Sequence, residues 1–462
     1  MAPSLLVSLI YREGDTAAFL YSMAILLLIG LPLILFSKPQ AGGIRVKEGF
    51  VSVGLAWVLL SAFGALPFMF SGVTAYYWDA LFETVSGYTT TGASIFNQVE
   101  TLPHGILFWR SFMHWVGGMG VLILTLAVMP KISGGGSMLA RAESPGPTFS
   151  KMTPRMSDTA RLMYLVYATL TITQIALLLL SGLPLFDSLI HALGTAGTGG
   201  FSNRNQSIGA YNNVFAEVIT TVFMLLFGMN FLVYFRLLRG EKLKAFRSEE
   251  VRAYYLIAFF SIVFITLDIL PQYGNFLTAV RHSSFQVSTI MSTTGYTSTD
   301  FGLWPMFSHG LLLMLMLVGA CAGSTAGGIK MSRIVLLFKA AIHEVGRTVA
   351  PRKVRLMMLD KKTVSTDMLR GVLVFFFIYT SFLLMGTLIA MADGHDFLTC
   401  FSAVASCLSN IGPGLKLVGP TGNFGIFSPP VKYMMSFLML AGRLEFIPLL
   451  ALFHPVIWSK SH

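Results

Sequence analysis

Residues 82–92 read FETVSGYTTTG, and three later stretches share their character: 189–199 (LIHALGTAGTG), 285–295 (FQVSTIMSTTG) and 402–412 (SAVASCLSNIG). Each passes from mixed apolar residues to small polar ones and stops on glycine. The closing glycines, Gly92, Gly199, Gly295 and Gly412, stand 107, 96 and 117 residues apart. That spacing is too regular for chance and too divergent for a recent duplication, so one chain holds four related units.

The sequence between the windows is apolar. Of 462 residues, 54% are hydrophobic and 11% charged, against roughly 25% charged in a soluble domain. Runs at 17–37, 160–181 and 369–392 reach the roughly 20 residues that a helix needs to cross a bilayer. None alternates with a period of two, so the class is helical and not barrel. The formal charge of +11 is clustered: 25 of 32 Lys and Arg fall in Lys38–Lys47, Lys131–Arg161, Arg236–Arg252, Lys330–Arg370 and at Lys460. Such clustering marks cytoplasmic loops beside membrane lipid and gives no reason to invoke nucleic acid. The three cysteines have no disulfide or metal spacing, and the nine histidines include no HExxH.

These anchors predict an all-α integral membrane protein: four tandem helix–pore loop–helix units in pseudo-fourfold arrangement around one ion pore, preceded by an N-terminal helical segment. The expected boundaries are 1–48 for the leading transmembrane segment, then units at 49–130, 131–240, 241–345 (with a broken second helix) and 346–462. Unit helices are expected near 49–71 and 105–129, 160–181 and 213–237, 253–271 and 308–342, and 369–392 and 431–458. If each unit starts and ends in the cytoplasm, its middle segment enters and leaves from outside. The joining segments 96–104 and 299–308 are correspondingly poor in Lys and Arg. Irregular backbone at membrane depth is tolerated only when buried in protein or lining water, and four loops around a common axis satisfy that condition together.

A dehydrated cation needs oxygen ligands on several sides, which rings of backbone carbonyls supply. Glycine lets such carbonyls turn toward an axis, and the small polar residues before it brace a tight loop without filling it. The stretches Trp78–Ser86, Phe186–Leu193, Phe276–Met291 and Phe397–Leu408 are expected to form pore helices whose C-termini present the negative end of the helix dipole to a cation.

The chain resembles the TrkH/TrkG/KtrB superfamily of potassium-translocating subunits, and within it the TrkH branch. The marks are FETVSGYTTTGAS (82–94), WRSFMHWVGGMG (109–120), GTGGFS (197–202), STTGYTS (292–298), GACAGSTAGGIK (319–330) and AGRLE (441–445), and the likeness covers essentially the whole chain. The resemblance implies a potassium filter made by backbone carbonyls of Thr90, Thr91, Gly92, Thr198, Gly199, Thr294, Gly295, Ile411 and Gly412. Sodium-permissive relatives often have Ser at the first of the four glycine positions, whereas Gly92 stands here. It further implies K+ as the transported ion, a homodimer, and a cytosolic TrkA-like ring that alone carries the nucleotide, in the bacterial cytoplasmic (inner) membrane. TrkH-like chains usually open with two helices before the first pore unit. Here only 17–37 is complete and 1–10 resembles the tail of another, so a native start upstream of Met1 is expected.

Residues 308–342 are too long for one crossing and hold Gly319, Gly323, Gly327 and Gly328. Each glycine costs about 1 kcal/mol relative to alanine in a helix, so a break is expected there. The resemblance makes this break an intramembrane gate, comprising Gly323, Ser324, Thr325, Gly327, Gly328 and Lys330. The same stretch nearly imitates a phosphate-binding loop, but Ile329 separates Gly328 from Lys330 and no strand precedes it, so it carries no nucleotide reading. Arg443 is a charge inside an apolar span and must face water or a partner. It either faces the pore by the gate or bonds to carbonyls at a helix break. Glu445, about 200° around the helix, is poorly placed to pair with it. Arg110 and Arg281 read as structural anchors near the outer side.

The reading is a gated potassium-selective translocating subunit, not an enzyme. Its alternative is a proton- or sodium-coupled secondary transporter, which also uses repeats and broken helices. No Asp or Glu adjoins the four glycines, although Glu83 and Asp300 lie near. An intramembrane enzyme would need GxSxG, paired catalytic carboxylates or a metal motif, and the sequence has none of these. Segments 236–252 and 330–370 are candidate docking surfaces for the cytosolic ring.

Overall fold

The structure, a computed structural model, describes residues 1–36, 46–120, 156–350, 352 and 356–455. The short helix α1 (Ala2–Tyr11) leads into α2 (Thr16–Phe36). Arg12 ends α1 in the left-handed conformation. The first unit contains α3 (Val46–Gly64), its continuation α4 (Leu66–Phe70), the short α5 (Tyr77–Tyr88) and α6 (His104–Met119). The second contains α7 (Met156–Leu180), α8 (Leu185–Gly197), α9 (Val214–Phe227) and α10 (Phe231–Leu238). The third contains α11 (Glu249–Tyr273), α12 (Phe276–Met291), α13 (Met306–Val318) and α14 (Met331–Val349). A small hairpin of β1 (Met358–Leu359) and β2 (Lys362–Thr363) precedes the fourth unit, which contains α15 (Thr366–Met391), α16 (Phe397–Ser409), α17 (Pro429–Arg443) and α18 (Ile447–Ala451).

Among the described residues, α2, α3 with α4, α7, α11 and α15 are long and apolar enough to cross a bilayer. Their outward faces stay apolar: Leu28, Ile34 and Phe36 on α2, Phe259, Phe260 and Phe264 on α11, and Phe377 and Leu388 on α15 are exposed. A helix apolar on the side away from its protein neighbours belongs in lipid. The chain is a multi-pass helical membrane protein.

The four short helices α5, α8, α12 and α16 are enclosed by these spans, and their C-terminal halves are wholly buried. Two of them begin on side-chain caps: Asn275 accepts from the Leu277 and Thr278 amides at the start of α12, and Asp396 from the Thr399 amide at the start of α16. Helix packing then runs in a cycle. Besides the short helix of its own unit, α6 packs on α8, α9 on α12, α13 on α16, and α17 on α5, so the fourth unit closes onto the first.

The break expected in 308–342 falls at 319–330, between α13 and α14. Two further breaks depart from the expected helices. The helix expected over 213–237 is interrupted at Gly228–Asn230 and its halves, α9 and α10, bend by 89°. Asn230 restarts it by capping the Leu232 amide, while Gly228 O accepts from Cys321 N at 3.1 Å and Phe231 N donates to Gly323 O at 3.0 Å. The bend therefore exposes backbone groups that receive the 319–330 loop. The helix expected over 431–458 ends at Arg443, and Glu445 and Phe446 take positive φ of 54° and 66° before α18. Residues 121–129, which complete the expected 105–129 helix, and the basic segments 38–45 and 131–155 lie outside the described residues.

Candidate functional site

Each short helix ends in the same turn. One residue adopts left-handed φ: Thr90 (57°), Thr198 (56°), Thr293 (57°) and Asn410 (56°). The next residue donates its amide five residues back, Thr91 to Ser86 O (2.8 Å), Gly199 to Gly194 O (2.9 Å), Thr294 to Thr289 O (2.8 Å) and Ile411 to Ser406 O (3.0 Å). A glycine of positive φ follows in every case: Gly92 (80°), Gly200 (77°), Gly295 (85°) and Gly412 (105°). Only glycine takes such φ without penalty.

This pattern corrects the sequence alignment in the second unit by one residue. Gly200, not Gly199, is equivalent to Gly92, Gly295 and Gly412, and Gly199 is equivalent to Thr91, Thr294 and Ile411. Either glycine of the Gly199-Gly200 pair satisfies a pattern that ends on glycine. A signal was present one step on, since Ser94, Ser202 and Thr297 each follow the true glycine by two residues. Thr293 and Asn410, which make the left-handed turn in their units, were likewise absent from the expected set.

The four turns meet in a ring. A Cβ on Gly92 would strike the carbonyl oxygen of Gly199, one on Gly200 that of Thr294, one on Gly295 that of Ile411, and one on Gly412 that of Thr91. Each glycine thus abuts the carbonyl of the next unit in order, and the fourth abuts the first. All four glycines line one cavity of about 330 Å³, together with Ser94, Ser202, Thr297 and Pro413.

Polar groups behind the ring lock the units together. Asn410 Nδ2 donates to Thr91 Oγ1 (3.0 Å) and Met439 O (2.9 Å), and Tyr296 Oη to His191 O (3.1 Å). Arg110 is wholly buried and paired with Glu83 at 2.8 Å; it also donates to Ser202 O (3.1 Å) and Ser94 Oγ (3.0 Å). Glu83 in turn accepts from the Ile95 amide at 3.0 Å. Arg281 pairs with Glu217 at 3.2 Å, away from the ring.

The 319–330 loop lies against the third and fourth turns. The Gly327 amide donates to Thr293 Oγ1 at 2.7 Å, and a Cβ on Gly327 would strike Ser409 O. Arg443 donates to Thr325 O at 2.6 Å and to Gly117 O at 2.6 Å, with Gly118 O beside it. It therefore joins the loop to α6, and it bonds to carbonyls beside a helix end as one expectation had it. Lys330 is buried, takes φ 80°, and turns its ammonium onto Ala326 O. Ser324 Oγ donates to Cys321 O at 2.6 Å, and Gly323 (φ 70°) and Gly328 (φ 77°) make the bends. Glu445 binds Arg333, not Arg443.

Sequence reasoning missed Glu250. Its buried carboxylate accepts from Ala322 N at 2.6 Å and Ser332 N at 3.1 Å, so one side chain holds both ends of the loop. In sequence it sits within a stretch rich in Lys and Arg, and no spacing rule connects position 250 with 322 and 332.

The profile of the TrkH family, described as cation transport protein, matches residues 16–460. The Trk system potassium uptake protein TrkH of Salmonella typhimurium is 38% identical over 460 residues, covering 98% of this chain and 95% of the relative. The Trk system potassium uptake protein TrkG of Escherichia coli is 35% identical over 468 residues, covering 100% and 95%. The crystal structure of the potassium transporter TrkH from Vibrio parahaemolyticus superposes with a TM-score of 0.88 at 33% identity, covering 99% of this chain and 96% of that one. The chain belongs to the TrkH family of cation transport proteins.

Proposed function

We propose that this chain is the gated potassium-translocating subunit of a Trk-type uptake system, with its four units in pseudo-fourfold arrangement around one ion pathway. The observation that carries the reading is the closed ring: four glycines, each against the next unit's carbonyl, lining one cavity. Backbone carbonyls of Thr90, Thr91, Gly92, Thr198, Gly199, Thr294, Gly295, Ile411 and Gly412, joined now by Gly200, replace the hydration shell of K+. The C-termini of α5, α8, α12 and α16 end at the ring, where their dipoles favour a cation. The potassium uptake role of the relatives fits this cargo.

The 319–330 loop is the gate in this reading, because it is held under two of the ring's turns by Thr293, Glu250 and Arg443. Lys330 and Arg443 set its electrostatics. Homodimerisation, a TrkA-like cytosolic ring that carries the nucleotide, docking on 236–252 and 330–370, and residence in the bacterial cytoplasmic membrane complete the proposal. Conduction is preferred to proton- or sodium-coupled transport because Glu83, a buried carboxylate bonded to Ser94 beside the ring, is engaged by Arg110.

The test is rubidium and sodium flux into liposomes containing this subunit alone, compared with Gly412→Ser and repeated at two imposed pH gradients. Rubidium preferred over sodium, insensitive to the gradient and degraded by the substitution, is expected. Flux that requires the pH gradient would overturn conduction in favour of coupled transport.

A further inference from the structure

The residue before the ring glycine is Thr91, Thr294 or Ile411 in three units and Gly199 in the second. The φ of Gly199 lies outside the left-handed region, so its backbone does not require glycine. What excludes a side chain is a neighbour: a Cβ at 199 would enter the imidazole ring of His114. His114, on α6 of the first unit, is wholly buried. Its Nδ1 donates to Gly87 O at 2.8 Å, and its Nε2 accepts from the Phe201 amide at 3.2 Å. One neutral tautomer, with the proton on Nδ1, satisfies both bonds. The ring also lies against Phe201, with centroids 4.3 Å apart.

The Phe201 amide belongs to the same peptide unit as the Gly200 carbonyl. A planar trans peptide points its N–H and C=O in opposite directions. Holding the amide toward α6 therefore turns the Gly200 carbonyl away from α6. One helical turn earlier, Arg110 holds Ser202 O, so two backbone groups shortly after the ring glycine are fixed from one helix.

We propose that His114 is the positioning residue of the second filter turn: its imidazole occupies the space of the side chain that Gly199 lacks, and its Nε2 orients the Gly200 carbonyl that contributes to ion selectivity. The inference rests on the carbonyl-filter reading above.

The experiment measures the rubidium-to-sodium flux ratio in liposomes for the unsubstituted protein, His114→Gln, His114→Asn, His114→Ala, Gly199→Ala and the double variant His114→Ala/Gly199→Ala. Gln places an oxygen near the position of Nε2 and keeps an acceptor for Phe201, whereas Asn reproduces only the Nδ1 side. Loss of one buried hydrogen bond corresponds to about a tenfold fall in the ratio, expected for His114→Asn and Gly199→Ala, while His114→Gln stays within about threefold. In the double variant Gly199→Ala should cost nothing beyond His114→Ala alone, because the ring it strikes is gone. A ratio for His114→Gln no better than for His114→Asn, or independent effects in the double variant, overturns the inference while leaving the filter intact. Absence of rubidium preference in the unsubstituted protein overturns the filter reading and this inference with it.

Discussion

At the scale of single residues, the ring depends on positions where a side chain has no room or no allowed conformation. Gly200 combines both obstacles, with φ 77° and the Thr294 carbonyl in the place of its Cβ. An L residue held in left-handed backbone costs roughly 1–2 kcal/mol before any clash is counted. Gly200→Ala is therefore expected to abolish the rubidium preference, and truncating His114 is expected not to restore it. Flux ratios for Gly200→Ala with and without His114→Ala check this. Restoration would mean that the two glycines of the pair share one obstacle. The same comparison tests the one-residue register shift, which sequence windows did not reveal because either glycine of Thr198-Gly199-Gly200 satisfies a pattern that ends on glycine.

At the scale of elements, three helices are broken where they meet: α9 from α10, α13 from α14, and α17 from α18. The glycines of 319–330 made the second break legible, since several helix-weakening residues fall within ten positions. The other two were hidden. At 228–230 the sequence GMN sits in a strongly apolar run, and its bend is stabilised by hydrogen bonds to Cys321 and Gly323, nearly a hundred residues away. Glu250 links the ends of the 319–330 loop in a comparable long-range way. Removing its carboxylate leaves the Ala322 and Ser332 amides without that acceptor in a buried site, which loosens the loop that is the gate in the proposed function. Glu250→Ala is expected to raise basal rubidium flux about tenfold, and Glu250→Gln by less because one acceptor oxygen remains. Flux unchanged in Glu250→Ala would show that this carboxylate does not hold the loop shut.

At the scale of the molecule, the fourth unit must close on the first. Part of that closure is the ion pair between Lys432 on α17 and Asp79 on α5, 2.6 Å apart with side chains 8% and 19% exposed. Breaking a fully buried pair by removing one partner costs about 3–5 kcal/mol, and this one, partly solvated, is expected to cost about 2 kcal/mol. Lys432→Met should lower the denaturation midpoint of the purified protein. Adding Asp79→Asn should recover much of the loss, since the uncompensated charge is then gone. A double variant as unstable as Lys432→Met alone would place the effect in packing of the lysine stem.

The sequence by itself determined the membrane class, the short helices and the break at the glycine cluster, because hydropathy, charge placement and glycine act over stretches of chain that a reader can see. The short helix expected at Phe276–Met291 has those bounds in the structure, and the other three differ by a few residues at their ends. Only the tertiary structure decided the register of the second turn, the bend at 228–230, the engagement of Arg443 with Thr325 and of Glu250 with both loop ends, and the use of His114 in place of a side chain at 199. Each of these is set by an atom from another unit that fills a space or satisfies a buried backbone group. Such pairings exist only after segments distant in sequence have packed together.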